Sequence, residues 1–392
     1  MVSTRSRRNG DRKTQLAEVA AELFRARGYH GVGINDIAAA AGLTGPALYR
    51  HFPDKQSVLS YVLLSGLRDM EAETAKALST LGRPSAEQVD QLLGRIAAAS
   101  VERREVAALW RWEGKNLSAE DQREIGKTSS ALLASWAKVL LEVRPALPGA
   151  DAELLCWAAL SVFGSVSVHH TTVAKRRFER LLADIAQRVL AADLPETAAA
   201  PGPTAPGVGT PSRREQVLSA AADLFGRHGF HAVSMEDIGA AAGIAGPSVY
   251  RHFPSKASLA HAIGRRAADR LILGAQEALG TSSSEVEALD RLVASYVRTL
   301  TGSPELRVSF AISSVNAGES ERAENRRLQR DYVGQWVDLL GAARPELNAR
   351  EARITVHAAL TIANDLVRTG RALARPNLPA ELVTLMRAAL GQ

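Results

Sequence analysis

Apolar positions recur at helical spacing along nearly the whole chain, while strand-type alternation of Val, Ile and Thr is scarce. Between Arg12 and Arg27, residues Leu16, Val19, Ala20, Leu23 and Phe24 fall on one stripe of a helix. Gly28 is placed to end it in a left-handed conformation. A second helix is predicted over Ile34–Ala41, burying Ile37 and the alanines, and Gly42 permits a tight turn into a third. Pro46 is predicted at the first position of that third helix, where its missing N–H costs nothing, with Thr44 as a cap. Farther on, Leu154, Leu155, Ala158, Val162 and Val166, and later Ile354, Val356, Ala359, Leu360 and Leu366, give apolar faces at three- and four-residue spacing. Such faces suit helices of a bundle. The predicted class is all-α.

The chain also repeats itself. Residues 12–57 align without gaps on 213–258 at a constant offset of 201, with 24 of 46 pairs identical. The second copy reads through Gly229, Ile238, Gly243 and Pro247, with Ala245 at the place of Thr44. Trp136 and Trp336, Arg144-Pro145 and Arg344-Pro345, and Ala158-Ala159-Leu160 and Ala358-Ala359-Leu360 continue the echo at an offset of 200. The repeat unit is therefore about half the chain. Between the copies, Pro195–Ser212 holds five prolines and three glycines and no periodic apolar residues. This composition reads as an extended linker reaching on the order of 50 Å. The predicted divisions are a basic arm (1–13), a first head (14–60), a first helical body (61–194), the linker (195–212), a second head (213–260) and a second body (261–392).

Composition changes this picture modestly. At 46% hydrophobic and 23% charged, the chain has ample core material. A net charge of +6 favours a polyanionic partner, although many soluble proteins are equally basic. The lone cysteine, Cys156, excludes an intrachain disulfide and a Cys-x-x-Cys metal site, and its apolar neighbours mark it as core. The basic start leads into no signal-type apolar run, and Leu154–Val168 is short for a bilayer span. The expectation is a cytoplasmic protein with no membrane partner, no metal and no cofactor.

Two short helices around a glycine turn match a helix-turn-helix, although a helical hairpin inside a bundle gives a similar pattern. On the first reading, the third helix enters a major groove with Thr44, Gly45, Pro46 and Ala47 at the base edges, and Ala245, Gly246, Pro247 and Ser248 in the second copy. Tyr49, Arg50, His51 and Lys55, and Tyr250, Arg251, His252 and Lys256, have the chemistry for phosphates, as do Arg12 and Arg213. Arg5, Arg7, Arg8, Arg12 and Lys13 form an arm suited to a minor groove. Phe52 fits a core role better. Gly31-Val32-Gly33 is no phosphate loop, since no strand precedes it and no Lys-Ser/Thr follows.

Asp36-Ile37-Ala38, Ala41-Gly42-Leu43 and Leu48-Tyr49-Arg50-His51-Phe52-Pro53-Asp54-Lys55 resemble the TetR family signature. It recurs as Asp237-Ile238, Ala242-Gly243-Ile244 and Val249-Tyr250-Arg251-His252-Phe253-Pro254-Ser255-Lys256. The fused arrangement is similar to the double TetR regulators of actinobacteria. The resemblance implies two units, each a three-helix DNA-reading head plus a helical body that encloses an effector and pairs with its partner, here as a single-chain pseudo-dimer. It implies a double-stranded operator, a hydrophobic or amphipathic effector (lipid-derived or an acyl thioester by analogy), action on the nucleoid, and room for higher oligomers. Candidate pocket residues are Trp110, Glu113, Asn116, Trp136, Trp157 and His169 in the first body, and Phe310, Asn316, Trp336, His357 and Asn364 in the second. Tryptophan at helical spacing serves a core equally well, and adjacent His169 and His170 point too far apart for one metal.

The heads differ in charge: residues 1–60 hold nine Arg/Lys against five Asp/Glu, and residues 211–260 hold five against four. Two dissimilar half-sites are expected, with tighter phosphate binding by the first head. Against this stand an enzyme, for which no catalytic constellation is evident, and an architectural DNA-coating protein, which is equally basic and helical.

Overall fold

The computed structural model describes residues 2–79, 85–196, 211–302, 305, 306, 308 and 319–392; the side chains of 2–11, 105, 110–113, 115 and 319–322 lie outside that description. Among the described residues every regular element is helical. The chain divides into two compact units, residues 1–191 and 192–392. Most of the expected linker, residues 197–210, lies outside the described residues.

The first unit comprises α1 (Val2–Arg27), α2 (Ile34–Ala40), α3 (Gly45–Tyr49), α4 (Lys55–Ser79), α5 (Ala86–Glu102), α6 (Arg104–Glu113), α7 (Ala119–Val143), α8 (Gly149–Gly164) and α9 (Lys175–Ala191). The expected start of the first helix at Arg12 falls too late. The helix extends through the polar run before it, so the arm's backbone is helical from Val2 although Ser, Thr, Asn, Gly and Asp in that run are weak helix formers. The side chains of Arg5, Arg7 and Arg8 lie outside the described residues.

The second unit repeats the order as α10 (Arg213–His228), α11 (Met235–Ala241), α12 (Gly246–Val249), α13 (Lys256–Gly280), α14 (Glu285–Gly302), α15 (Glu319–Ala343), α16 (Ala349–Leu366), α17 (Gly370–Leu373) and α18 (Leu378–Leu390). Ser212 begins α10 by accepting a hydrogen bond from the Glu215 amide at 3.3 Å.

Each head closes over its own core. Leu16, Ala20, Phe24, Ile37, Leu48, Phe52, Leu59 and Leu63 are buried together in the first. Val217, Ala221, Phe225, Ile238, Val249, Phe253, Leu259 and Ile263 match them in the second. In both, α4 or α13 runs from the head into the body, so head and body share one continuous helix.

The bodies are layered helices: α8 packs on α9 and α7, and α16 on α18 and α15. The stretch Gly149–Ser167 is apolar and long enough to cross a bilayer by composition alone, yet 61% of it is buried within the protein. Cys156 is buried there, and burial pushes its thiol up to about 12, which keeps it protonated and inert. The repeated Arg-Pro pair also has a role. Arg144 donates to the Leu190 carbonyl at 2.6 Å and Arg344 to the Leu390 carbonyl at 3.0 Å, satisfying carbonyls at the ends of α9 and α18.

Candidate nucleic-acid interface

The turn of each helix-turn-helix is set by glycine. Gly42 and Gly243 have φ of 65° and 66°, a region that side-chain-bearing residues rarely enter. The next helix begins one residue earlier than the sequence suggests: Gly45 and Gly246 are its first residues, and Pro46 and Pro247 its second. Thr44 occupies the cap position without a side-chain hydrogen bond, which explains how Ala245 replaces it. A Cβ on Gly246 would stand 3.3 Å from the Glu236 Cα, and one on Gly45 2.6 Å from Asn35 Oδ1. Both glycines sit tight against the preceding helix, where a side chain would have to displace Asn35 or press on Glu236.

Lys55 and Lys256 are not placed for phosphates, contrary to expectation. The Lys55 ammonium donates to the carbonyls of Tyr29 at 2.8 Å and Val32 at 2.9 Å and sits 4.2 Å from the centre of the Tyr29 ring. Lys256 donates to Val233 at 2.8 Å and His231 at 3.4 Å and lies 4.6 Å over Phe230. Each lysine reaches back from the start of α4 or α13 to cap the loop between the first two helices. A charge-assisted bond to a carbonyl of a tight loop outweighs the same ammonium left in water. The signal was in the sequence: an aromatic after the helix-ending glycine, and a lysine 26 residues on, in both copies.

Lys13 and Arg214 also turn inward, lying 5.3 Å over Phe52 and 4.5 Å over Phe253. Arg12 and Arg213 are tied to Gln15 at 3.2 Å and Gln216 at 2.8 Å on the next helical turn. Arg213 is nevertheless exposed and Arg12 half-buried. Beyond these arginines, the outward face around the recognition helix is smaller than the candidate set. It comprises Thr44, Pro46, Tyr49 and Arg50 on the first head, and Ala245, Pro247, Tyr250 and Arg251 on the second, all exposed. Ala47, Ser248, His51 and His252 are half-buried beside them. Tyr49 and Tyr250, 52% and 49% exposed, project large amphipathic rings into solvent where a core residue would be covered.

The pocket candidates scatter. Trp136 is buried in α7, its indole N–H donating to Thr74 Oγ1 at 3.0 Å. Trp157 is half-buried on α8. Asn116 sits at the head–body boundary, its carbonyl accepting from Gln56 at 2.7 Å. His169 is buried against Phe178, and its carbonyl accepts from Arg104 at 2.7 Å, whereas His170 is exposed. The side chains of Trp110 and Glu113, and Phe310 and Asn316, lie outside the described residues. In the second body, Trp336 is grouped with two residues the sequence reading missed, Tyr296 and Tyr332, and through Tyr296 with Asn364. His357 is half-buried on α16, and burial, with Arg353 nearby, pushes its pKa down to about 4. Among the described residues, no group of three or more His, Cys, Asp or Glu is arranged to hold a metal ion.

Two exposed, tyrosine-tipped helix-turn-helix faces on one chain define a tandem helix-turn-helix protein. The family described as bacterial regulatory proteins, tetR family, matches residues 16–62 and again 217–263. Two heads that match this family thus stand in one polypeptide. It is 37% identical over 84 residues to the HTH-type transcriptional activator FasR of Mycolicibacterium smegmatis, covering 21% of this chain and 38% of that protein. It is 33% identical over 111 residues to the HTH-type transcriptional repressor KstR2 of Rhodococcus jostii, covering 28% and 54%. The chain thus spans about half or less of the length of these two relatives. A solved tetR-family regulatory protein from Rhodococcus RHA1 is similar at 22% identity and a TM-score of 0.41, covering 46% of this chain and 96% of that one.

Proposed function

We propose that this chain is a sequence-specific DNA-binding transcription regulator that reads one operator with two non-identical half-sites and acts as a repressor released by a small hydrophobic or amphipathic effector. The observation that carries the reading is the pair of matched outward faces, Thr44/Pro46/Tyr49/Arg50 and Ala245/Pro247/Tyr250/Arg251. Each presents small side chains at the helix N-terminus for base edges, flanked by a tyrosine and an arginine for phosphates. The half-sites differ because Thr44 and Ala245, and Ala47 and Ser248, offer different groups to a base pair.

Supplying both heads in one polypeptide replaces the usual partner subunit. On this reading the chain acts as a single-chain pseudo-dimer, in the cytoplasm on the nucleoid. An effector that favours one spacing lowers operator affinity by the same coupling energy, and about 1–3 kcal/mol gives a release of five- to 150-fold.

Mapping of bound sites across the source genome tests the reading. Discrete sites sharing a two-part motif are expected. Uniform coating would support an architectural protein instead.

A further inference from the structure

Aligned on the duplication, the two bodies differ around the tryptophan they share. In the first, Trp136 is closed in: its N–H is satisfied by Thr74, and the neighbouring positions Ile96 and Leu132 are apolar and buried. In the second, Ala275 stands in the place of Thr74, Tyr296 of Ile96, Tyr332 of Leu132 and Asn364 of Gly164. One acceptor has been removed and three hydrogen-bonding side chains added.

Trp336 is fully buried, with Tyr296 edge-on at 5.8 Å and 87° and Tyr332 at 6.2 Å and 64°. The two tyrosine rings lie near-parallel with centres 6.5 Å apart. Tyr296 donates its hydroxyl to Asn364 Oδ1 at 2.9 Å. The Trp336 N–H makes no hydrogen bond of good geometry, although the Tyr332 hydroxyl is within electrostatic reach. Burial raises the pKa of both tyrosines, so both stay neutral donors. Tyr332 and Asn364 nevertheless keep accessible surface, which gives the cluster an open side.

We propose that sensing belongs to the second unit, whose Tyr296–Tyr332–Trp336–Asn364 cluster binds a neutral ligand with a flat ring and a carbonyl-type acceptor, while the matching position of the first unit is closed and serves as scaffold. This rests on reading the bodies as effector domains. The chemistry follows from the donor balance. The Tyr332 phenol and the Asn364 carboxamide reach the open side, with the buried Trp336 N–H behind them, so a ligand there supplies acceptors. Aromatic rings at these spacings favour a flat apolar body. None of the four side chains carries charge, so a carboxylate would be desolvated here without a counter-charge.

The test uses the full chain and 6-propionyl-2-dimethylaminonaphthalene, a neutral fluorescent naphthyl ketone. Saturable binding with a blue-shifted emission is expected. Tyr332→Leu combined with Asn364→Gly, which writes the first unit's residues into the second, should weaken it at least tenfold. The milder Ala275→Thr, which returns an acceptor to Trp336, should weaken it several-fold with helicity unchanged. Thr74→Ala in the first unit should leave it within twofold, and 2-naphthoate should compete at least tenfold more weakly than 2-acetylnaphthalene. Absence of saturable binding, equal losses from both units, or stronger competition by the carboxylate overturns the proposal and leaves DNA recognition untouched. Probe binding at the second unit with no change in operator affinity supports the site and defeats the induction mechanism alone.

Discussion

The two units keep one head design and tie it to the body in different ways. In the first, Thr14 and Tyr61 share a hydrogen bond of 3.2 Å between α1 and α4, and Ser60 donates to Asp121 at 2.7 Å. In the second, the residue at the place of Thr14 is Glu215, and it forms a forked ion pair with Arg266 on α13. Arg266 also lies 3.8 Å from the buried Glu305, which Arg270 reaches at 3.1 Å. The hydrogen bond from Arg266 holds the Glu215 carboxyl below its ordinary pKa. A duplicated fold thus tolerates neutral or ionic head-to-body ties while the lysine that caps each head's first loop stays fixed. Conserved architecture and divergent coupling are separable, and the second head's stance should be the more salt-sensitive of the two.

The largest expected effect concerns a pair that only the second unit has. Arg375 grips the buried Glu381 through two bonds of 2.8 and 2.7 Å, where the first unit has Lys175 and Leu181. Arg375→Ala strands a buried carboxylate and should destabilise the second unit by about 3–5 kcal/mol. Calorimetry should show one transition falling while the other holds; a uniform shift would mean that the units unfold together.

Next in size is a pH effect confined to the second unit, because His357 corresponds to Trp157. Burial places its folded pKa at about 4, below the ordinary 6.5, so the unfolded chain takes up a proton first as the pH falls. Stability is complete above about pH 6.5 and is drawn off between there and pH 4, by about 3 kcal/mol. His357→Gln should flatten that dependence in urea titrations at pH 7 and pH 4.5.

Lys55→Met and Lys256→Met sharpen the comparison from the other side, since both lysines make the same caps. Each should cost its head about 2 kcal/mol, equally in the two units, as read by hydrogen exchange in α2 and α11. A loss of DNA affinity with unchanged exchange would return these lysines to the phosphates.

The smallest effect lies at a helix cap. Ser234 and Asp237 form a reciprocal capping box, with Ser234 N–H to Asp237 at 2.8 Å and Asp237 N–H to Ser234 Oγ at 3.0 Å. Gly33 offers only its N–H to Asp36, at 2.7 Å. Gly33→Ser should therefore stabilise the first head by about 0.5 kcal/mol, and Ser234→Ala should cost the second about 1 kcal/mol.

Much of this was legible in the sequence. The stripe through Leu16, Ala20 and Phe24, the glycine turns at Gly42 and Gly243, and the doubled Tyr-Arg-His-Phe-Pro string gave the helices, the turn and the duplication. Local pattern carries that information because period and turn chemistry are local. Lys55 was misread because a lysine following Pro-Asp looks solvated, and its partners are carbonyls 23 and 26 residues away. Tyr296 and Tyr332 were missed because their meaning is comparative: each is an ordinary helical aromatic until set against Ile96 and Leu132.

The central claim, that two unlike heads share one operator, is tested most directly by footprinting a selected site with single-head variants. Tyr49→Ala with Arg50→Ala should erase protection over one half-site and leave the other, and Tyr250→Ala with Arg251→Ala should erase the opposite half. Loss of the whole footprint from the first pair and none from the second would contradict the claim, since one head would then be doing all the reading.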